Sequence, residues 1–142
     1  MKQMEFEVTI HTDRHKVWNI LWQDDTFRQW ASVIDPGTYM VGELKEGEEV
    51  QFISAENGYG VTSLVEKLVP YEYILFRHSA DTKNSGTENR EKEWTGGAER
   101  YKLTEINGVT VLTATFDVPR ELENYFKENY PKALQKVKEL AE

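Results

Sequence analysis

The sequence predicts an α+β fold in which a curved antiparallel sheet of about six to seven strands wraps around one long C-terminal helix. Three observations predict this class: one strand and two short helices come first, a run of strand patterns follows, and the C-terminus has helical periodicity. A sheet with one apolar face must bury that face. Only the terminal helix, about 30 Å long, can cover so many strands. The chain therefore reads as one domain, 1–142.

The N-terminal part reads as a strand followed by two short helices. Apolar and polar residues alternate from Met4 to Ile10, which predicts a half-buried strand. Thr12 or Asp13 can cap the first helix, and a second short helix ends near Trp30.

A first hairpin is predicted at Asn57-Gly58, a pair that suits two-residue turns between strands. A two-residue turn here pairs Phe52 with Ser63. Ser54 and Ser63 then lie on the inward face, where small polar side chains leave space and each buried hydroxyl needs a water or a ligand.

A second hairpin is predicted at Asn107-Gly108. Its register pairs Tyr101 with Ala114 and Glu99 with Phe116. The apolar residues of the two strands then coincide on one face, which supports the register.

Between the hairpins, residues 73–79 predict a strand whose inward face carries Ile74, Phe76 and His78. The polar residues 81–90 predict a mobile loop. A strand around 91–94 follows, and then a bulge or bend at Thr95-Gly96-Gly97 that lets the sheet curve.

The terminal helix is predicted from apolar residues between Leu122 and Leu140 at helical spacing. Pro119 suits the first helical position. Pro131 lacks a backbone N–H and therefore predicts a kink or a restart of the helix.

Composition excludes several classes of function. The net charge of −8 disfavours nucleic acid and anionic membrane surfaces as partners. The absence of Cys excludes disulfides and thiolate chemistry. Charged residues interrupt the N-terminus and no segment reaches transmembrane length, so we expect a soluble, cytoplasmic protein with no membrane insertion.

Four local strings carry a resemblance to a known family. They are Val17-Trp18, Trp30, 65–70, and 130–134 running into 137–140. They resemble the helix-grip fold of the START and birch-pollen-allergen (SRPBCC) superfamily, and within it the branch named for the activator of heat-shock-protein-90 ATPase. The resemblance implies the helix-grip fold. Because superfamily members include lipid carriers, receptors, cyclases and co-chaperone modules, it leaves the function open.

The candidate ligand-binding residues are the aromatic side chains expected between sheet and helix, together with two polar ones. A filled core is the alternative interpretation of the aromatic set, and a satisfied core or rim histidine is the alternative for His78. No second residue is visibly placed to activate that histidine. The set is Trp30, Phe52, Ser63, Phe76, His78, Trp94, Tyr101, Phe126 and Tyr130.

No metal or cofactor is predicted. His11 and His15 are four residues apart, but one ends a strand and the other opens a helix, and no third ligand is apparent. The charged residues of 88–93 read as a solvated loop and strand edge. No nucleophile elbow or carboxylate pair stands out as a catalytic residue.

Three hypotheses follow. The first is a binding protein for a small apolar or amphipathic ligand, with the terminal helix and the 81–90 loop gating access. The second is an enzyme of the cyclase or hydratase type, with His78 as acid or base. The third is a protein-interaction module with a chaperone partner, as the resemblance implies. A homodimer is left open.

Overall fold

In the part of the chain that the computed structural model describes, residues 1–90 and 93–142, there are eight strands and three α-helices. The elements are β1 (Lys2–Ile10), α1 (Arg14–Trp22), α2 (Asp24–Ala31), β2 (Thr38–Val41), β3 (Glu49–Ser54), β4 (Gly60–Val69), β5 (Tyr73–Lys83), β6 (Glu88–Arg90), β7 (Ala98–Ile106), β8 (Val109–Val118) and α3 (Glu123–Ala141). The predicted α+β class, a curved antiparallel sheet around a C-terminal helix, is confirmed.

The strands form one antiparallel sheet in the order β1-β8-β7-β5-β4-β3-β2, and β6 pairs with β5. Two bulges interrupt the β4–β5 pair. Ser79 is extra on β5, and Glu66 is extra on β4. Because a bulge bends its strand and increases the local twist, these two residues help the sheet to curve around α3.

The second predicted hairpin is confirmed in every pair, including Tyr101 with Ala114 and Glu99 with Phe116. Asn107 has a φ of 51° and Gly108 a φ of 77°. A type I′ turn needs positive φ at both central residues, so this pair supplies the two-residue turn that fixes the register.

The register predicted for the first hairpin is wrong by two residues: Phe52 pairs with Val61, and Val50 with Ser63. The reason is local. Only Gly58 of the Asn57-Gly58 pair has a positive φ, so no type I′ turn forms and a longer loop joins the strands. A shift of two residues keeps every side chain on its predicted face. Ser54 and Ser63 are therefore buried as expected.

Residues 81–90 are not the predicted loop. β5 continues to Lys83, a turn follows, and β6 returns with Asp81 paired to Arg90. The polar composition of these residues predicted a loop, but the tendency to form a strand depends more on strand pairing and structural context than on residue type. Of the strand predicted around 91–94, Glu91 and Lys92 lie outside the described residues, while Glu93 and Trp94 form a bend.

The bend predicted at Thr95-Gly96-Gly97 is confirmed. Gly96 has a φ of 89°, and the backbone of His78 exchanges hydrogen bonds with Gly96 and Gly97. The bend therefore continues the pairing of β5 beyond the end of β7.

The first helix begins at one of its two predicted cap residues. Asp13 accepts a hydrogen bond from the backbone N–H of Lys16 and caps α1. Pro119 lies just before a 3-10 turn at Arg120–Leu122 rather than inside the helix. Pro131 does not restart α3, which runs through it without interruption. No helix in the described residues has the length and apolarity to cross a bilayer.

The core lies between the concave face of the sheet and the three helices, and aromatic side chains dominate it. Trp22 contacts Phe76 and Tyr101 edge to face, with ring centroids 5.5 and 5.1 Å apart. On the other side of the core, Tyr130 of α3 contacts Phe116, with ring centroids 4.4 Å apart. The predicted inward row on β5 is confirmed, since Ile74, Phe76 and His78 are all buried.

Candidate functional site

The core does not fill the whole space beneath α3. A pocket of about 570 Å³ lies between α2, the concave face of the sheet and the first half of α3. Seven of the predicted ligand-binding residues line it, and they come from α2, from three strands and one bend of the sheet, and from α3. They are Trp30, Phe52, His78, Trp94, Tyr101, Phe126 and Tyr130.

The other two predicted residues, Ser63 and Phe76, lie behind the pocket wall. Phe76 is fully buried and packs against Phe52 and Trp22. Ser63 is also fully buried, and its hydroxyl is hydrogen-bonded to His78, which lines the pocket. Both therefore support lining side chains instead of facing the pocket, and a role in ligand binding stays a prediction for all nine.

The aromatic wall is held in place by hydrogen bonds and ring contacts. The indole N–H of Trp30 donates to the carbonyl of Leu21 at 3.0 Å. The backbone N–H of Trp94 donates to the buried carboxylate of Asp81 at 3.1 Å. Trp94 and Phe126 contact each other across the pocket with ring centroids 5.4 Å apart. These contacts connect the sheet side of the pocket to α3.

A buried hydrogen bond joins Ser63 on β4 to His78 on β5. Ser63 Oγ lies 2.7 Å from His78 Nδ1, because the bulge at Ser79 places the two residues opposite each other. The expectation that the inward serines need a water or a ligand is wrong. Ser63 is satisfied by His78, and the Ser54 hydroxyl donates to the carbonyl of Pro36 at 3.0 Å.

The other ring nitrogen of His78 is buried and has no hydrogen-bond partner among the residues that the structure describes. It lies 4.0 Å from Oε1 of Glu99. Burial lowers the pKa of His78 to about 4, with Arg77 adding to the effect and Asp117 opposing it. The imidazole is therefore neutral at pH 7.

Glu99 joins the pocket to a chain of tyrosine hydroxyls. The Tyr101 hydroxyl donates to Glu99 Oε2 at 2.9 Å, and the Tyr130 hydroxyl contacts that of Tyr101. A tyrosine has a single hydroxyl proton, so Tyr130 donates to Tyr101 while Tyr101 donates to the carboxylate. Burial raises the pKa of Glu99 to about 7, although the hydrogen bond from Tyr101 opposes the shift.

Glu99 is the main residue that sequence reasoning missed. The register of the second hairpin already placed it on the inward face beside Phe116, which is where a charged residue is unusual. The sequence analysis found no second titratable group next to His78, and Glu99 is that group. The signal that could have identified Glu99 is a charged residue among the inward-facing positions of a strand.

The geometry also excludes one reaction type for this cluster. Ser63, His78 and Glu99 lie in a row, but the serine hydroxyl is fully buried behind the imidazole. A nucleophile must reach the substrate. Ser63 therefore positions His78 and does not act as a nucleophile.

Polar side chains from β6 and from the loops also line the pocket. The Arg90 guanidinium lies over the ring of Tyr59, 4.7 Å from its centroid. The side-chain amide of Asn57 donates to Asp35 at 3.1 Å. Arg90, Tyr59, Asn57 and Asp35 all line the pocket, so its wall is polar on this side.

The described residues contain no group of three His, Asp or Glu side chains that could hold a metal ion. His11 lies 3.0 Å from the carboxylate of Glu142 at the end of α3. His15 stacks against Tyr71, with ring centroids 4.2 Å apart. The two histidines thus have separate surroundings.

Comparison with known proteins places this fold among solved structures. A protein from Mesorhizobium loti superposes with a TM-score of 0.76 at 14% identity, covering 98% of this chain and 96% of that one. The Aha1 dimer from Colwellia psychrerythraea gives 0.73 at 18% identity, covering 100% and 97%. DynU16, a protein in the dynemicin biosynthetic locus, gives 0.71 at 14%, covering 98% and 46%. At these identities the likeness concerns the fold alone.

Sequence comparison supplies the family. No curated protein sequence matches the chain. The family model described as Activator of Hsp90 ATPase homolog 1-like protein matches residues 11–142. Because that match covers nearly the whole chain, the protein belongs to the family of Activator of Hsp90 ATPase homolog 1-like proteins.

Proposed function

We propose that the protein binds a small, largely apolar molecule in the pocket between the sheet and α3. The observation that carries the proposal is the wall of the pocket, where the rings of five Phe and Trp residues and of two buried tyrosines lie next to buried polar side chains, among them His78. A volume of about 570 Å³ lies within the range of about 300–1,000 Å³ typical of small-molecule sites.

The energy for binding would come from the apolar body of the ligand. Burying about 200 Å² of apolar ligand surface contributes about 5 kcal/mol before the cost of association. Trp30, Trp94 and Phe126 would supply the contact area. His78 and Glu99 would orient the molecule.

A thermal-shift screen of aromatic and aliphatic small molecules, followed by calorimetry, tests this proposal. A ligand at 100 times its Kd raises the free energy of unfolding by about 2.7 kcal/mol, so a binder raises Tm in a concentration-dependent way. The proposal fails if no compound in the screen raises Tm.

A matched pair of variants locates the site. Val61 lines the pocket, whereas Val111 is half-buried on the outer face of β8. Val61→Phe fills part of the pocket and should weaken binding of any hit at least tenfold. Val111→Phe makes the same change elsewhere and should leave binding unchanged. Equal effects would place the hit outside the pocket.

A second candidate function, acid–base catalysis on the bound molecule, is favoured by one observation. Glu99 lines the pocket with its pKa raised to about 7, near the value that suits a general acid or base at neutral pH. The sequence-based hypothesis gave this role to His78, whose pKa of about 4 makes it a weak base. The role therefore moves to Glu99.

Mass spectrometry of a confirmed ligand after incubation with the protein tests catalysis. A cyclase or hydratase changes the ligand by isomerisation or by gain or loss of water. Glu99→Gln keeps the shape of the side chain and should abolish that change while the apolar body still binds. A ligand recovered unchanged from the wild-type protein rules out catalysis on that compound.

Protein partners are proposed separately from the pocket. The family description names an activator of a chaperone ATPase, and one similar structure is a dimer in solution. Light scattering across a concentration series tests self-association of this chain. Pull-down with the purified chaperone tests whether this protein binds a chaperone. Absence of enrichment over a bead control argues against chaperone binding.

A further inference from the structure

Two polar atoms face each other at the inner end of the pocket without forming a hydrogen bond. They are Nε2 of His78 and Oε1 of Glu99, 4.0 Å apart. The nitrogen is buried and finds no partner within the described part of the chain. Leaving such a group unpaired costs about 1–3 kcal/mol, so the site gains from any group that satisfies it.

Both side chains are held from behind by hydrogen bonds that set their direction. Ser63 Oγ lies 2.7 Å from His78 Nδ1. Tyr101 donates to Glu99 Oε2 at 2.9 Å. Among the described residues, the atom of each side chain that has no hydrogen-bond partner is therefore the one turned toward the other, and the two define a single binding point.

Glu99 is the more exposed member of the pair. Its side chain keeps 21% of its surface exposed, whereas the His78 side chain is only 3% exposed. Both residues line the pocket, so a ligand atom reaches the pair from the side of Glu99.

Resting on the binding function proposed above, we propose that the inner end of the ligand carries an uncharged hydroxyl group that donates to Glu99 Oε1 and accepts from His78 Nε2. An oxygen atom about 2.8 Å from each atom completes a triangle over the 4.0 Å base. In this arrangement Ser63 donates to His78 Nδ1, and Nε2 carries the imidazole proton.

The chemistry of the two atoms separates a hydroxyl from other head groups. A hydroxyl donates and accepts at once, whereas an ether or a carbonyl has no proton for Glu99. A carboxylate meets the like charge of Glu99 in a desolvated place. An ammonium group forms an ion pair with the Glu99 carboxylate, but the Nε2 proton of His78 repels it and burial removes its hydration shell.

Four probes with the same ring system test this inference: naphthol, methoxynaphthalene, naphthoate and naphthylmethylamine, substituted at the same ring position. Their Kd values are measured by calorimetry at pH 8. One lost hydrogen bond to a charged group corresponds to about tenfold or more in Kd. We expect naphthol to bind at least tenfold more tightly than the other three.

The ratio of the Kd values of methoxynaphthalene and naphthol is then measured in variants. This ratio does not depend on the fraction of folded protein. Glu99→Met and His78→Phe should each bring it close to one, and His15→Phe, the same change on an exposed helix, should leave it unchanged. If His78→Phe does not fold, Ser63→Ala replaces it, because loss of the positioning hydrogen bond should lower the ratio as well.

The outcomes separate this inference from the function on which it rests. If methoxynaphthalene, naphthoate or the amine binds as tightly as naphthol, the pocket binds ligands but the proposed hydroxyl site is wrong. The same conclusion follows if the ratio of Kd values is unchanged in Glu99→Met. If none of the four binds, the hydroxyl site is contradicted, and the thermal-shift screen decides separately whether the pocket binds any small molecule.

Discussion

Replacing Glu99 with Gln should change the way in which stability depends on pH. Burial raises the pKa of Glu99 from 4.5 to about 7 in the folded protein. Between these values the folded state holds a proton that the unfolded chain has released. The free energy of unfolding therefore falls as the pH rises through this window, and the loss is complete above about pH 7.

His78 acts in the opposite direction. Burial lowers its pKa from 6.5 to about 4, so between these values the unfolded chain binds a proton that the folded state does not. The free energy of unfolding falls as the pH decreases through this window. Each group contributes about 1.4 kcal/mol per pH unit where its two states differ in protonation. From about pH 4.5 to 6.5 the two contributions largely cancel in the wild-type protein.

Glu99→Gln removes one of the two contributions and leaves that of His78. The variant should lose up to about 3 kcal/mol of stability relative to the wild type as the pH falls from 6.5 to 4.5. Urea unfolding at half-unit pH steps and constant ionic strength measures this difference. Glu7→Gln, on the exposed face of β1, is the control and should keep the wild-type profile.

Parallel pH profiles for Glu99→Gln and the wild type would refute the reasoning. That result would mean that Glu99 is ionised throughout this range in the folded protein. The pocket would then hold its carboxylate in a far more polar environment than its burial indicates.

Three further changes test the packing, the buried hydrogen bond and the second hairpin, each by urea unfolding at pH 7. Phe76→Ala removes a fully buried ring and should cost about 3–5 kcal/mol; a cost below 1 kcal/mol would mean that the wall behind the pocket is loosely packed. Ser63→Ala leaves His78 Nδ1 without its partner and should cost about 1–3 kcal/mol, a cost that should shrink in a His78→Phe background. Gly108→Ala places a Cβ where φ is 77° with nothing within 4 Å, so about 1–2 kcal/mol of pure backbone strain is expected; no change would argue against the type I′ turn.

The two Asn-Gly pairs show how far local patterns determine a register. At Asn107-Gly108 both residues adopt positive φ, and the predicted register holds along the whole of β7 and β8. At Asn57-Gly58 only the glycine does, and the pairing moves by two residues. The sequence is the same dipeptide, so the difference arises from the contacts of the surrounding loop, in which Ser54 bonds to Pro36 and to the backbone N–H of Asn57.

The parts of the site that follow from the alternation of side chains along a strand could be predicted. The part that depends on a bulge could not. The inward rows of β5 and β7 could be read from alternation, which placed Phe76, His78 and Tyr101 correctly. The contact between Ser63 and His78 could not, because an uninterrupted ladder continuing from the Thr62–Ala80 pair would set Ser63 opposite Ser79. One extra residue on β5 decides which side chain the histidine meets.

The sequence by itself determined the fold class, the order of the helices and of most strands, and the face of each predicted strand that is buried, since these follow from side-chain periods of 2 and 3.6 residues. Only the tertiary structure decided that Tyr130 of α3 meets Tyr101 of β7, and that Glu99 lies 4.0 Å from His78. Those contacts join elements far apart in the chain. Their geometry depends on sheet curvature, bulges and helix docking, which local periodicity does not encode.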